Sequence, residues 1–203
     1  MPAAPNVPAA AATTTKRNTH VTSKTLAGRP ITGYISRYTI GPRPQKPITQ
    51  LVTALNAVFK FPEVEAIRWS QNTPYGPTPD ESQFIVHRPR VQFRDDCTYP
   101  ARDFDGFAYW RGEYPAGYMR THAYPSLIRR DPEKYAGHKP VSIEDVTFTI
   151  DGVDRKDIHR AVGKFADRLV SGSFNVKLNE LFGDPSTITA TREEFAVETY
   201  EHD

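Results

Sequence analysis

The sequence lacks the features that mark secreted and membrane proteins. Its 203 residues include one cysteine, Cys97, so no disulfide can form within the chain, and they contain no Asn-x-Ser/Thr glycosylation site. No apolar run approaches the ~20 residues that cross a bilayer. The amino terminus also lacks the basic start and the continuous apolar stretch of a signal peptide. These absences predict a cytoplasmic protein that does not contact membranes.

Signatures of common enzymes are missing as well. There is no Gly-x-Gly turn, no Walker lysine pattern and no Gly-x-Ser-x-Gly elbow, and the histidines lack the i, i+4 spacing of zinc ligands. Asp95 and Asp96 precede Cys97, and their negative charge disfavours the thiolate, so we expect an inert thiol. We therefore expect no catalytic residues, no metal and no small-molecule cofactor. An enzyme whose residues are assembled from distant positions is the third alternative.

Acidic and aromatic residues are absent from residues 1–28, which predicts a disordered basic tail ahead of a single domain over 29–203. Four cations give the first 30 residues a charge of +4: Lys16, Arg17, Lys24 and Arg29. The whole chain carries +2, so the remainder carries 2 − 4 = −2. The tail is either a solvated arm or an arm that contacts nucleic acid or a neighbouring subunit.

Apolar periodicity predicts three helices. The first spans about 47 to 60, where apolar residues recur three and four positions apart. The second begins at the capping residue Asp154 and ends near Gly172, and the third begins at Ser173 and ends at Gly183.

Period-two alternation predicts the strands. They are expected at 31–40, at 64–70, in a return over 84–93 with an edge or bulge at Pro89, at 141–150, and in a hairpin over 187–199. The predicted fold class is α+β: an antiparallel sheet of four to six strands with about three helices packed over one face.

Residues 99–140 predict an irregular, aromatic-rich excursion. Eight of the 23 aromatic residues lie between 99 and 124, interleaved with arginine and interrupted by proline and glycine. Arginine and tyrosine dominate protein-binding hot spots, and aromatic faces also stack on nucleic-acid bases. The candidate partner-binding residues are Arg102, Tyr109, Trp110, Arg111, Tyr114 and Tyr118. The other interpretation is a small satellite core under a long loop.

Two blocks of sequence resemble a family of small uncharacterised bacteriophage and bacterial proteins. The first block runs from Ala66 through Ile67, Trp69 and Thr73-Pro74-Tyr75 to Gln83-Phe84-Ile85-Val86; the second comprises 181–184 and 197–203. The resemblance implies a phage or mobile-element origin, and so a place in the host-cell cytoplasm or the virion. Pro74 should end the preceding strand at Thr73, which leaves Tyr75 at the mouth of a turn as a structural anchor or a partner contact.

These observations predict a non-enzymatic binding protein that engages a protein partner through the aromatic-arginine excursion. The partner is either a host protein or a virion component, including a second copy of the chain. The alternative is a nucleic-acid-binding accessory protein that uses Lys16, Arg17, Lys24 and Arg29 for phosphates and the Tyr/Arg loop for stacking.

Overall fold

A computed structural model describes residues 19–20, 24–36, 44–74, 83–99, 106–108, 115–123 and 125–200. Within these ranges the α-helices are α1 (Thr49–Val58), α2 (Pro125–Arg130), α3 (Lys156–Leu169) and α4 (Asn175–Phe182). The strands are β1 (Thr19–His20), β2 (Lys24–Leu26), β3 (Arg29–Ile35), β4 (Val64–Asn72), β5 (Ile85–Val86), β6 (Arg90–Phe93), β7 (Phe107–Ala108), β8 (His122–Ala123), β9 (Lys139–Pro140), β10 (Thr149–Ile150), β11 (Val153–Asp154), β12 (Ser186–Ala190) and β13 (Phe195–Glu198).

Nine of the strands in the described residues form one sheet. Its order is β1-β3-β13-β12-β4-β6-β7, with β2 added to β3 and β5 added to β4. The C-terminal hairpin β12–β13 inserts between β3 and β4, which are themselves joined through α1. As a result β13 runs parallel to β3, whereas the other pairs in this sheet are antiparallel.

One face of the sheet is apolar and carries the helices. Residues directly opposite each other on paired strands point to the same face, so Trp69 shares its face with Ile188. Trp69 is 3% exposed and meets Phe165 of α3 and Phe182 of α4 edge to face, at centroid distances of 6.1 and 5.7 Å. Helices α1, α3 and α4 all contribute buried residues to this core. Burial of large apolar side chains in such a core is the main stabilising term.

The opposite face is polar. Arg68 shares it with Thr189, its direct partner across the β4–β12 pair, and the Nε of Arg68 donates to Thr189 Oγ1 at 3.0 Å. Its guanidinium also lies 4.1 Å from the centre of the Phe107 ring. No helix in the described part of the chain is long and apolar enough to span a membrane.

The α+β class, the three predicted helices and the C-terminal hairpin are confirmed. The sheet is larger than predicted and contains one parallel pair, because strands brought together from distant parts of the chain give no local signal of their order. The predicted break at Pro89 separates β5 from β6, but the shift in register falls in β4, between Val64 and Ala66.

One prediction of local structure was wrong, and the boundary of the predicted tail was placed too late in the chain. A strand over 141–150 was expected, but 143–145 form a 3-10 turn and only Thr149–Ile150 forms a strand, which pairs with Val153–Asp154. The predicted tail, 1–28, includes Thr19–His20 and Lys24–Leu26, both of which pair with β3. Hydrogen bonding to β3 supplies the stabilisation that composition alone did not indicate. The remainder of the predicted tail lies outside the described residues.

Candidate functional site

The aromatic-arginine excursion lies largely outside the described residues. This applies to six of the seven predicted partner-binding residues: Arg102, Tyr109, Trp110, Arg111, Tyr114 and Tyr75. The seventh, Tyr118, is half-buried and stacks on His122 with a centroid distance of 3.9 Å. Its hydroxyl donates to Asp145 Oδ2 at 2.6 Å and accepts from the Ser142 amide at 3.2 Å. Partial burial and the bond to Asp145 raise the pKa of Tyr118. The contacts of its ring and hydroxyl link 118–122 to 142–145.

Of the four basic residues predicted for the tail, two lie outside the described residues and two lie within them. Lys16 and Arg17 lie outside the described residues, whereas Lys24 and Arg29 belong to the sheet. The Nζ of Lys24 donates to the Glu180 carbonyl at 3.1 Å. Their positions in β2 and β3 place Lys24 and Arg29 in the folded domain, and a nucleic-acid contact stays a prediction for all four residues.

Arg29 is held at one end of the sheet by a tight turn. Ala27 and Gly28 join β2 to β3 with positive φ values of 53° and 79°, which is typical of a type I′ hairpin turn. The guanidinium of Arg29 lies over the rings of Phe59 and Phe195, 5.3 and 5.1 Å from their centres. Its side chain donates to the Thr191 carbonyl at 2.8 Å and to Asn56 Oδ1.

Arg192 continues this stack from the β12–β13 turn. Its guanidinium lies 5.6 Å from the centre of the Phe59 ring and donates to the Phe61 carbonyl at 2.8 Å. The arginines open onto a cleft of about 470 Å³, which we call the arginine cleft. Its lining consists of Ala27, Gly28, Arg29, Asn56, Phe59, Arg192 and Glu193.

A second concave surface runs between α1 and α3. This helical groove has a volume of about 370 Å³ and is lined by Thr53, Ala54, Ala57, Asp157, Arg160, Ala161, Lys164 and Arg168. Its floor is made of alanines from both helices, and its rim carries three cations from α3 at i, i+4 and i+8. Residues four apart lie on one side of a helix, so the three cations form a line about 12 Å long.

The rim cations differ in how they are held. Arg160 pairs with Glu144 at 2.9 Å, and Arg168 donates to the Gln50 carbonyl at 2.8 Å. Lys164, between them, forms no hydrogen bond or ion pair with the described residues. Burial opposes ionisation of Asp157 at the groove rim. The hydrogen bonds from Arg155 and from the backbone amides of Ile158 and Asp157, together with the charge of Arg155, outweigh it and lower the pKa of the carboxyl.

The block of sequence on which the resemblance rests is anchored by a buried carboxylate. Strand β4 ends at Asn72, as Pro74 predicted. The Thr73 amide and hydroxyl donate to the two oxygens of Asp184, at 2.9 and 2.5 Å. Asp184 is 1% exposed, and its own amide donates to the Ser36 carbonyl at 2.7 Å. This geometry gives Asp184 a structural role in holding the chain where it leaves the sheet.

No group of three or more His, Cys, Asp or Glu side chains among the described residues is placed to hold a metal ion. Burial is the first cause that raises the pKa of the Cys97 thiol, ahead of the charges of Asp151 and Asp96. The sequence therefore predicted the correct direction for Cys97, but burial exceeds the effect of the neighbouring charges.

Sequence reasoning did not identify either concave surface. The spacing of Arg160, Lys164 and Arg168 is a local signal that could have shown the groove rim. The arginine cleft had no such signal, because Arg29 and Arg192 come from opposite ends of the chain. Comparisons with known protein families, with curated proteins and with solved structures found no match to this chain.

Proposed function

We propose that this chain is a non-enzymatic binding protein, and that the helical groove receives an acidic amphipathic helix of a protein partner. The observation that carries the proposal is the combination of an apolar floor with a line of cations along one rim. The predicted contacts of the aromatic-arginine excursion stay predictions, as do the phage origin and the host or virion partner.

The floor favours a helix as the occupant. Ala57 and Ala161 are half-buried and small, so a third helix can approach the α1–α3 pair closely and pack a ridge of side chains between them. A nucleic-acid backbone offers no apolar ridge to such a floor. The shape therefore supports a protein partner over the nucleic-acid alternative.

The rim specifies the charge of that helix. Three cations and one carboxylate, Asp157, line the groove, which gives the lining a formal charge of 3 − 1 = +2. Carboxylates placed four residues apart on a partner helix match the line of cations turn for turn. Lys164 is the central contact because it has no competing partner among the described residues.

The proposal is tested by placing a photo-crosslinking amino acid at position 164 and, as a matched control, at Lys177, which is exposed on α4 outside the groove. We expect position 164 to cross-link an acidic helical segment of another protein, whose sequence is then mapped by mass spectrometry. A synthetic peptide of that segment should bind the full chain and lose affinity as salt rises.

Charge reversal at the same positions supplies the quantitative test. Lys164→Glu removes an attraction of about 0.2–1 kcal/mol and adds a repulsion of about the same size, so we expect peptide affinity to fall about two- to thirtyfold. Lys177→Glu should leave the affinity unchanged. Equal losses in both variants, or a mapped segment without carboxylates, would contradict the proposal. Cross-linking to a second copy of this chain would replace the acidic helix with self-association, which native mass measures independently.

A further inference from the structure

The arginine cleft contains a nearly buried guanidinium that forms no ion pair with a carboxylate among the described residues. Arg29 is 9% exposed, and neither Arg29 nor Arg192 forms an ion pair with a carboxylate of the described residues. Buried charges in folded proteins are ordinarily paired, because removing an ion from water is costly. Among the described residues the charge of Glu193 acts on Arg29 without forming an ion pair with it, and the cleft keeps a net positive charge.

The donors of Arg29 are held in one orientation. The rings of Phe59 and Phe195 fix the plane of the guanidinium, and its bonds to the Thr191 carbonyl and Asn56 Oδ1 fix its rotation. The Asn56 bond orients the amide so that its Nδ2 group remains a donor that no described residue uses. Arg192 adds a second guanidinium on the same Phe59 ring.

The electrostatics of the cleft also favour an anion. Burial lowers the pKa of Arg29, and the charge of Glu193 acts in the opposite direction. Two guanidiniums and Glu193 give the lining a formal charge of 2 − 1 = +1. Guanidinium and amide N–H groups together can donate to several oxygens of one phosphate group. A ligand with a single acceptor atom would leave most of these donors unused.

We propose that the arginine cleft binds the phosphate group of a small ligand, with Arg29, Arg192 and the amide of Asn56 as its donors. The cleft shares no lining residue with the helical groove, so this inference does not depend on the proposed protein partner. Glu193, in the same lining, carries a negative charge that opposes a bound phosphate.

The test is a titration of the full-length chain with inorganic phosphate, followed by amide NMR shifts and compared with chloride at matched ionic strength. A nucleoside monophosphate serves as a second probe, which distinguishes a free phosphate site from one that also contacts the rest of a ligand. We expect saturable shifts at Gly28, Arg29, Asn56 and Arg192. Shifts that do not saturate, or that chloride reproduces, would overturn the inference.

Three variants make the result specific. Arg192→Gln removes a charge-assisted hydrogen bond from an exposed side chain and should weaken phosphate binding about tenfold or more. Glu193→Gln removes the opposing charge and should strengthen binding, an effect that a purely structural role of the cleft does not produce. Arg120→Gln, at an exposed arginine outside the cleft, should bind phosphate as the unmodified chain does. Unchanged binding in both cleft variants would overturn the inference.

Discussion

Gly183 should tolerate no side chain, and Gly183→Ala gives a direct measure of how tightly α4 is joined to the sheet. Gly183 ends α4 with φ 82° and ψ −170°, a backbone region that glycine populates almost alone. A Cβ at this position would lie 2.2 Å from the Ser36 carbonyl oxygen and 2.8 Å from Ile35 Cγ2. Neither neighbour can move freely, because the Ser36 oxygen accepts a bond from the Asp184 amide and Ile35 is 0% exposed.

Two costs add up in this variant. An alanine in such a backbone region costs about 1–3 kcal/mol, and forcing atoms into a packed site costs about 1–3 kcal/mol more. The free energy of unfolding should therefore fall by about 2–6 kcal/mol. This is a large share of the roughly 5–15 kcal/mol by which an ordinary domain is stable. Gly183 also accepts hydrogen bonds from Gln71 and Ser186, so a shift of its backbone disturbs both.

Urea unfolding measures this loss, with Gly172→Ala as the matched control. Gly172 also has a positive φ, 77°, but an added Cβ there meets no atom within 4 Å. The control should lose about 1–2 kcal/mol from backbone strain alone. Equal losses in the two variants would show that the collision with Ser36 and Ile35 is absent, and the packing argument would then be refuted.

Two further predictions concern ionisable groups. Because burial raises the pKa of Cys97, Ellman's reagent should modify this thiol far more slowly in the folded chain than in urea; equal rates would contradict its burial. Burial opposes ionisation of Asp157, but Arg155 and the backbone amides of Ile158 and Asp157 together lower its pKa in the folded state, so the stabilisation is present above the ordinary pKa of about 4 and is lost as pH falls through the folded value. The difference in urea midpoint between the unmodified chain and Asp157→Asn should therefore shrink in acid; a constant difference would refute the ion pair.

Local periodicity predicted the helices because the residues of each buried helix face lie close together in the sequence. In α3, Ile158, Val162 and Phe165 recur at helical spacing and are all 0% exposed. The same kind of signal failed over 141–150. Phe148 and Ile150 alternate with polar neighbours and are 1% and 2% exposed, but alternation reports which side chains are buried and says nothing of which backbone groups pair.

The arrangement of the sheet depends on distant contacts that no window of sequence contains. The hairpin β12–β13 was predicted correctly. Its insertion between β3 and β4, which creates the parallel pair, was not predicted. The two concave surfaces differ in the same way, in how far apart in the sequence their residues lie. Lys164 and its neighbours on α3 follow one helix and could be found locally, whereas the arginine cleft exists only after β3 and the β12–β13 turn have come together.

Arginine and aromatic residues suggested a partner-binding surface, but the described part of the fold also uses this combination internally. Arg68 lies 4.1 Å from the centre of the Phe107 ring, and Arg155 lies 5.6 Å from that of Phe61. Composition therefore does not separate binding from packing. Compensation of charge does: Arg155 is paired with Glu63 and Asp157, whereas the nearly buried Arg29 has no carboxylate partner among the described residues. This difference is the reason for proposing that the arginine cleft, rather than the site of Arg155, receives an anion from outside.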